Sequence, residues 1–361
     1  MIGQSRAFFW LYRATAPSVR AQSIQVVNAA HALALRGHRV TLCVRAPAGD
    51  RPQPEEVLDA YGLESIPMLR LVVLPAGGTA SSVGFRLAFA RWVARNPGGV
   101  AVARSKRYAA LALRWFGGRF RLIVEAHEVD SRQAAERGLD PAGLLALERR
   151  VLAGSIGVVA NCPGTLALLR EAHPDLPPAV ALHNATHPSR VRRPTGPGED
   201  IGYVGSVLPE KDLETLAIAA GRMRRRVVVV GPQAAGGLAG VEAEGPIVHR
   251  AVPDRLARFR TLVLPLGTGL FGQRLTSPLK LWDYLASGRP IAGADTPALR
   301  DAAPAGSVAW WTPGDPSSLA SVLERLDRDE SLRASLVAQA RVRTWAERAA
   351  ELEAFVDAVC R

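Results

Sequence analysis

The sequence predicts an α/β protein of two domains, each built on a parallel sheet. Three observations carry that expectation. The chain of 361 residues is too long for one ordinary core and suits two domains of similar size. Short apolar runs alternate with helical patterns from end to end, as βαβ units require. One segment rich in proline, glycine and charge, VRRPTGPGED (Val191–Asp200), interrupts the alternation, which restarts beyond it. The predicted division is therefore 1–190, a linker over 191–200, and 201–344, with a separate final helix over 345–361.

The elements follow in order. Phe8–Tyr12 reads as the first strand. Ala21–Leu35 has helical periodicity and stops at Arg36-Gly37-His38, where glycine suits the C-terminal position. Arg39–Val44, Leu69–Leu74 and Leu122–Glu125 are apolar strand runs. Asp140-Pro141 reads as an N-cap and first-turn proline, opening a helix to about Leu152. Ile156–Ala160 and Ala179–His183 complete the first set of strands. The second set comprises Ile201–Val204, Val227–Val230, Leu262–Leu266 and Pro290–Ala294, with helices Leu213–Met223 and Pro278–Ala286 among them. Asp315–Arg343 is predicted helical, and Trp345–Cys360 forms the last helix.

Composition narrows the class. At 48% hydrophobic and 22% charged the chain has the make-up of a folded globular protein, without internal repeats. No apolar run reaches the ~18 residues of a membrane span. The N-terminus lacks a secretory signal pattern. Cys43, Cys162 and Cys360 are scattered and odd in number, which suits a reducing cytoplasm. The net charge of +12 favours an anionic partner. Only three of the 45 basic residues are lysine (Lys106, Lys211 and Lys280). Where so arginine-rich a chain keeps a lysine, a compact, movable point charge is the expected requirement.

Two of those lysines fall beside a predicted phosphate site. Leu262–Asp301 runs from a buried strand through a glycine-rich loop into a helix, with Ser277 as N-cap, Pro278 as first residue and Gly288 as stop. Ligands of open α/β sheets bind at such strand ends. A helix start carries free N–H groups and about half a positive charge. Lys280 adds like charge there, an unfavourable choice of about 0.3–1 kcal/mol unless an anion binds. A solvated lysine paired with Asp283 is the plainer alternative. Asp283, one turn deeper, suits ribose hydroxyls, so the pair describes a nucleoside diphosphate. Lys211 follows the strand IGYVGS (Ile201–Ser206) and points a second flexible cation at the same kind of ligand.

At these residues the chain resembles glycosyltransferase family 4, retaining enzymes of the GT-B fold. The segments that carry the likeness are YVGSVLPEKDLETL, SPLKLWDYLASGRPIAGADTPALRD, LIVEAHEVDS, ALHNATHP and GDPSSLASVLERL. The resemblance implies two Rossmann-like domains with sheets facing a central cleft, an acceptor-side N-terminal domain, and a last helix from Trp345 crossing back onto it. It implies a hexosyltransferase-like, metal-independent enzyme with no cofactor and a UDP- or GDP-sugar as donor. By resemblance Lys211 contacts the donor diphosphate, N–H groups near Ser277, Pro278 and Leu279 hold phosphate oxygens, and Asp283 binds ribose. His127 is placed near the transferred sugar and the leaving phosphate. Two positions depart from the pattern: Leu275 stands where a glutamate is usual and Ser206 where an arginine is usual. Arg274 is the candidate replacement cation.

Other patterns in the sequence compete with this reading. GTGLFG (Gly267–Gly272) matches the spacing of a dinucleotide-binding turn and suggests an NAD(P)-dependent oxidoreductase, but Gln273–Thr276 separate its last glycine from the helix. GPQAAGGL (Gly231–Leu238) has P-loop glycine spacing without the Lys-Ser/Thr. His183 and His187 fall in a loop and make no metal helix. Ser82–Arg121 holds nine basic residues and no acid, with Phe85, Phe89, Trp92, Trp115 and Phe116 interleaved. That pattern suits either helices packed on a sheet with arginines outward, or a peripheral contact with an anionic membrane and a lipid-linked acceptor. No nucleic-acid module is present. A catalytically inactive GT-B member serving as a partner protein at a membrane is the remaining alternative.

Overall fold

The computed structural model describes residues 5–192, 194, 196–223, 225–232 and 238–361. It divides into two compact units, one made of Met1–His183 with Trp345–Arg361 and the other of Asn184–Thr344. Each is a parallel α/β sheet layered with helices.

The first unit runs β1 (Ala7–Trp10), α1 (Ala21–Leu35), β2 (Arg39–Arg45), α2 (Pro54–Asp59), β3 (Leu69–Leu74), α3 (Gly78–Arg95), β4 (Val100–Ala103), α4 (Lys106–Phe116), β5 (Arg121–Ala126), α5 (Asp130–Glu136), α6 (Ala142–Ala153), β6 (Gly157–Ala160), α7 (Pro163–Ala172) and β7 (Ala179–Ala181). Its seven strands are ordered β3-β2-β1-β4-β5-β6-β7. β1 is buried along its whole length, as a central parallel strand with both faces covered must be. Phe9 on β1 meets Phe89 edge-on with centroids 5.0 Å apart, and Phe85 and Trp92 close the same cluster. Burying such a ring is worth about 2–3 kcal/mol. The interleaved aromatics of residues 82–121 are thus mostly core, and β4, which periodicity alone did not reveal, runs between the two helices.

The second unit runs β8 (Ile201–Val204), α8 (Leu213–Ala220), β9 (Val227–Val230), β10 (Glu242–Glu244), α9 (Val252–Arg258), β11 (Thr261–Leu264), α10 (Leu279–Ala286), β12 (Ile291–Ala294), α11 (Pro297–Ala302), β13 (Val308–Trp311), α12 (Pro316–Arg328) and α13 (Glu330–Ala338). Its strands are ordered β10-β9-β8-β11-β12-β13. The last helix, α14 (Trp345–Val359), belongs to the first unit, where Trp345, Leu352 and Val356 are buried and Arg6 bonds Asp357 at 2.7 Å. Gly157 on β6 has no room for a side chain, because Phe355 of α14 lies where its Cβ would stand.

Several boundaries differ from the sequence expectation. The first unit ends at His183, not 190: Asn184 Nδ2 donates to the Ser277 carbonyl at 2.6 Å, tying the next segment to the second unit. The expected linker also packs there, with Arg192 N–H on the Ala286 carbonyl and Asp200 paired to Arg226 at 2.8 Å. The predicted helix 315–343 breaks at Asp329, whose carboxylate accepts the Leu332 N–H and starts a new helix. The helix after Asp140 begins one residue late, at Ala142, although Asp140 does accept the Ala142 N–H. Most of the Gly231–Leu238 segment lies outside the described residues.

Candidate functional site

In each unit the strand order reverses beside the first strand, between β1 and β4 in one and between β8 and β11 in the other. Ligands of open parallel sheets bind at such switch points, outside the strand C-termini. Both groups of predicted site residues lie there.

In the second unit the loop after β8 is pinned by α10. Tyr284 on α10 accepts the Val204 N–H through its hydroxyl at 2.8 Å, and Tyr203 donates to the Ser206 carbonyl at 2.6 Å. Ser206 therefore presents its backbone to the loop in place of the arginine expected there. Gly205 follows with φ +153°. A Cβ on Gly205 would collide with Lys280 Cε, and one on Gly231 with the Gly205 carbonyl. Glycine is needed so that the lysine stem can lie against backbone. The chain then makes a 3-10 turn over Pro209–Lys211, and Asp212 takes the left-handed conformation at φ 48°. Asp212 caps α8 by accepting from Thr215 N–H and Oγ1. A hydrogen bond from Gly267 N–H to the Glu210 carbonyl joins this loop to the one after β11. Between them lies a cavity of about 330 Å³ lined by Pro209, Glu210, Asp212, Gly267, Thr268 and Phe271, among others.

Lys211 Nζ stands 4.2 Å from the Phe271 ring centroid and Lys280 Nζ 4.8 Å from that of Tyr203. Neither ammonium forms an ion pair among the described residues; Glu210 is a charged neighbour but not a partner. Burial pulls the Lys211 pKa down to about 8. Burial, and then the like charge of Lys211, pull that of Lys280 well below the ordinary lysine value. The Lys280–Asp283 pair of the plainer alternative does not form. Two cations removed from water and facing one another without a carboxylate are unfavourable until an anion joins them.

The helix start differs in detail from the expectation. Ser277 is not its N-cap, because its hydroxyl accepts the Asn184 N–H at 2.8 Å. Pro278 occupies the cap position in an extended conformation, so α10 opens at Leu279 and Lys280 is its second residue. The N–H groups at this end remain the local donors a phosphate would use. Asp283 is held on its other side: Thr186 Oγ1 donates to Oδ1 at 2.5 Å, and His249 Nε2 lies 3.8 Å from Oδ2. His249 is itself held by Arg190 at 2.6 Å. Burial would raise the Asp283 pKa, but His249 and Arg190 hold it below the ordinary value, so the carboxylate is ionised and oriented. Its remaining lone pairs can accept from hydroxyls. Leu275 is fully buried, so the position where the resemblance expects glutamate is core. Arg274 sits beside it in a π-helical turn, Phe271–Leu275. Gly272 lies inside that turn and starts no α-helix, which removes the dinucleotide-binding reading of Gly267–Gly272.

In the first unit His127 follows β5. Its Nε2 receives Arg104 Nη1 at 3.1 Å and lies 3.8 Å from Glu125. Since a guanidinium only donates, Nε2 is unprotonated and the imidazole carries its hydrogen on Nδ1. Burial, and then Arg104, bring the His127 pKa down to about 4, so the ring is neutral at physiological pH. Glu125 is fully buried, accepting from Arg348 on α14 at 2.6 Å, from Gln25 at 2.8 Å and from Trp10 Nε1 at 3.4 Å. Burial opposes its ionisation, but Arg348 and Arg104 outweigh that and keep it a carboxylate. Arg104, Gln25, Arg348, Thr186, Arg190 and His249 were not singled out from the sequence. The partners come from distant parts of the chain, and no local pattern marks them.

Comparison with known proteins fits this geometry. Residues 21–185 match the family model described as a glycosyl transferase 4-like domain. The fold matches sucrose-phosphate synthase from Thermosynechococcus elongatus with TM-score 0.77 at 16% identity, covering 99% of both chains. It matches Anabaena HepE, solved with UDP-glucose, with TM-score 0.74 at 12% identity over 98% of this chain and 100% of that one. The catalytic domain of starch synthase IV from Arabidopsis thaliana, bound to ADP and acarbose, matches with TM-score 0.69 at 12% identity over 99% and 100%. Among curated proteins no sequence match is found. The fold is the one these glycosyltransferases share, two parallel α/β units of the GT-B kind. Within that fold, residues 21–185 form a glycosyl transferase 4-like domain.

Proposed function

We propose that this protein transfers a sugar from a UDP- or GDP-sugar to an acceptor, without a metal and with retention at the anomeric carbon. The observation that carries the reading is the pair of unneutralised ammonium groups, Lys211 and Lys280, at the β8/β11 switch point. Breaking the bond between the anomeric carbon and the diphosphate oxygen leaves negative charge on the phosphate. Preorganised cations and dipoles in a water-poor site stabilise that charge. In this reading Lys211, Lys280 and the N–H groups near Ser277, Pro278 and Leu279 hold the diphosphate, helped by the Ser206 loop and Arg274. Asp283 accepts from ribose. The leaving phosphate takes the acceptor hydroxyl proton as the new glycosidic bond forms on the same face. His127, neutral and donating through Nδ1–H, orients the transferred sugar. Relatives of this fold solved with UDP-glucose or ADP lend support to a nucleotide-linked donor.

A panel of nucleotide sugars, scored for donor hydrolysis and transfer, tests the reading. Turnover with one of them, inhibited by its nucleoside diphosphate and unaffected by EDTA, is expected. An inert panel combined with protection by NADH would overturn it.

We also place the protein in the cytoplasm, at the inner face of a membrane. No helix among the described residues is long and apolar enough to cross one. Leu87 at 58% and Trp115 at 49% exposure stand on α3 and α4, and Arg86 lies 5.4 Å from the Trp115 ring, so the two exposed faces adjoin. Apolar side chains ringed by arginine suit an anionic lipid surface. Co-sedimentation with phosphatidylglycerol vesicles, lost in Leu87→Asp/Trp115→Asp, is the expected result; equal sedimentation of the variant would refute the contact.

A further inference from the structure

The first unit holds a cation that no carboxylate among the described residues pairs with. Arg104, at the end of β4, uses one nitrogen for both of its hydrogen bonds. Its Nη1 donates to Gln25 Oε1 at 2.6 Å and to His127 Nε2 at 3.1 Å. The guanidinium carbon lies 5.6 Å from the Tyr12 ring centroid. Among the described residues Arg104 makes no ion pair, and its Nε and Nη2 make no hydrogen bond to protein. Glu125, the nearby carboxylate, is engaged by Arg348, Gln25 and Trp10. Glu128 is exposed and adds only its field. Arg348 adds a second positive charge that is almost wholly buried. With His127 neutral, the buried cluster holds two guanidinium groups and one carboxylate.

A partly desolvated charge without a counter-ion costs several kcal/mol in general, and a ligand anion removes that cost. The geometry suits one. The Nε–Nη2 edge of a guanidinium matches two oxygens of a carboxylate or phosphate, with paired donors in one plane. Arg104 itself follows β4 at the β1/β4 switch point, where sheets of this kind take ligands. The second unit has its own pair of cations for a diphosphate, so the first unit's anion has a separate source.

We propose that Arg104 is an anion-binding residue and that the acceptor carries a carboxylate or phosphate that docks on its Nε–Nη2 edge. The acceptor part rests on the glycosyl-transfer reading above; the anion site does not.

The test is calorimetric titration of the full-length protein with inorganic phosphate, alone and with saturating UDP. Phosphate is expected to bind in the UDP complex. Arg104→Gln is expected to weaken it at least tenfold there while UDP affinity stays within twofold, and Arg104→Lys to fall between. Unchanged phosphate binding in Arg104→Gln overturns the site. Exclusion of phosphate by UDP, or parallel loss of UDP affinity, assigns the anion to the donor and overturns the acceptor claim. If neither UDP nor GDP binds the wild type, the glycosyl-transfer reading falls, whereas Arg104-dependent phosphate binding still upholds the anion site. Should Arg104→Gln not fold, Arg104→Lys, which keeps the charge and loses the fork, carries the same comparison.

Discussion

The two switch points solve opposite electrostatic problems on one architecture. After β8 and β11, Lys211 lies over Phe271 and Lys280 over Tyr203 against Gly205, each within the other's field and neither in an ion pair among the described residues. After β1, β4 and β5, the charges are largely balanced within the protein, with Glu125 set among Arg348, Arg104 and a neutral His127. Both clusters are removed from water, so the contrast is in where the compensating charge comes from. The first unit supplies most of its own. The second has no ion pair for its two lysines among the described residues, as the diphosphate site we propose would need.

That contrast can be broken most directly by removing the ammonium pair. Charge-assisted contacts are worth about 1.5–3 kcal/mol each, so Lys211→Ala/Lys280→Ala is expected to weaken nucleoside diphosphate binding about a thousandfold. Because the empty pair repels itself, the ligand-free variant is expected to melt at or above the wild-type temperature. A variant that binds UDP normally by calorimetry would place the diphosphate elsewhere.

The first unit should respond the other way. Glu125→Gln removes the carboxylate that Arg348 pairs with and whose field reaches Arg104, a loss of about 3–5 kcal/mol in general for a broken buried pair. Chemical denaturation is expected to show that drop, with nucleotide affinity retained by whatever remains folded. A near-neutral Glu125→Gln would mean that solvent reaches the cluster.

A smaller change sharpens the second site. Gly205→Ala puts a methyl group where Lys280 Cε lies, at a backbone angle that L-residues rarely adopt. About a tenfold loss of nucleotide affinity is expected, together with a lowered melting temperature. Normal binding would show that Lys280 reaches its ligand without lying on residue 205.

The smallest effect is in pH. Lys211 titrates near pH 8 in the folded protein against an ordinary value of 10.5. A bound diphosphate favours the protonated form, so affinity is expected to fall several-fold as pH rises from 8 to 9. The stability of the empty protein moves oppositely: between about 8 and 10.5 the unfolded chain holds a proton that the folded chain lacks, so stability rises with pH through that window. Calorimetry in buffers of different ionisation enthalpy should detect proton uptake on UDP binding between about pH 8 and 10. PH-independent affinity would show that Lys211 does not meet the anion.

Much of the fold was legible because its determinants are local. Periodicity located α1 to the residue and β8 and β9 without error, and the arginine-for-lysine skew drew attention to Lys211 and Lys280 before any geometry was known. Capping was less readable. Ser277 has the right chemistry for an N-cap, but Asn184, nearly a hundred positions earlier, takes its hydroxyl. The break at Asp329 was missed because an aspartate inside a helical pattern is equally at home as a surface residue or as a new cap.

What the sequence determined alone was the alternation of strands and helices and the rare lysines beside a glycine loop. Each of these is written within a few tens of residues, where sterics and hydrophobic period act. Only the tertiary structure decided that Gly205 makes room for Lys280, that Thr186 and His249 hold Asp283, and that Arg348 compensates Glu125 and leaves Arg104 without an ion pair. Charge balance depends on which groups meet in a medium that excludes water, and residues two hundred positions apart meet only once both sheets have formed.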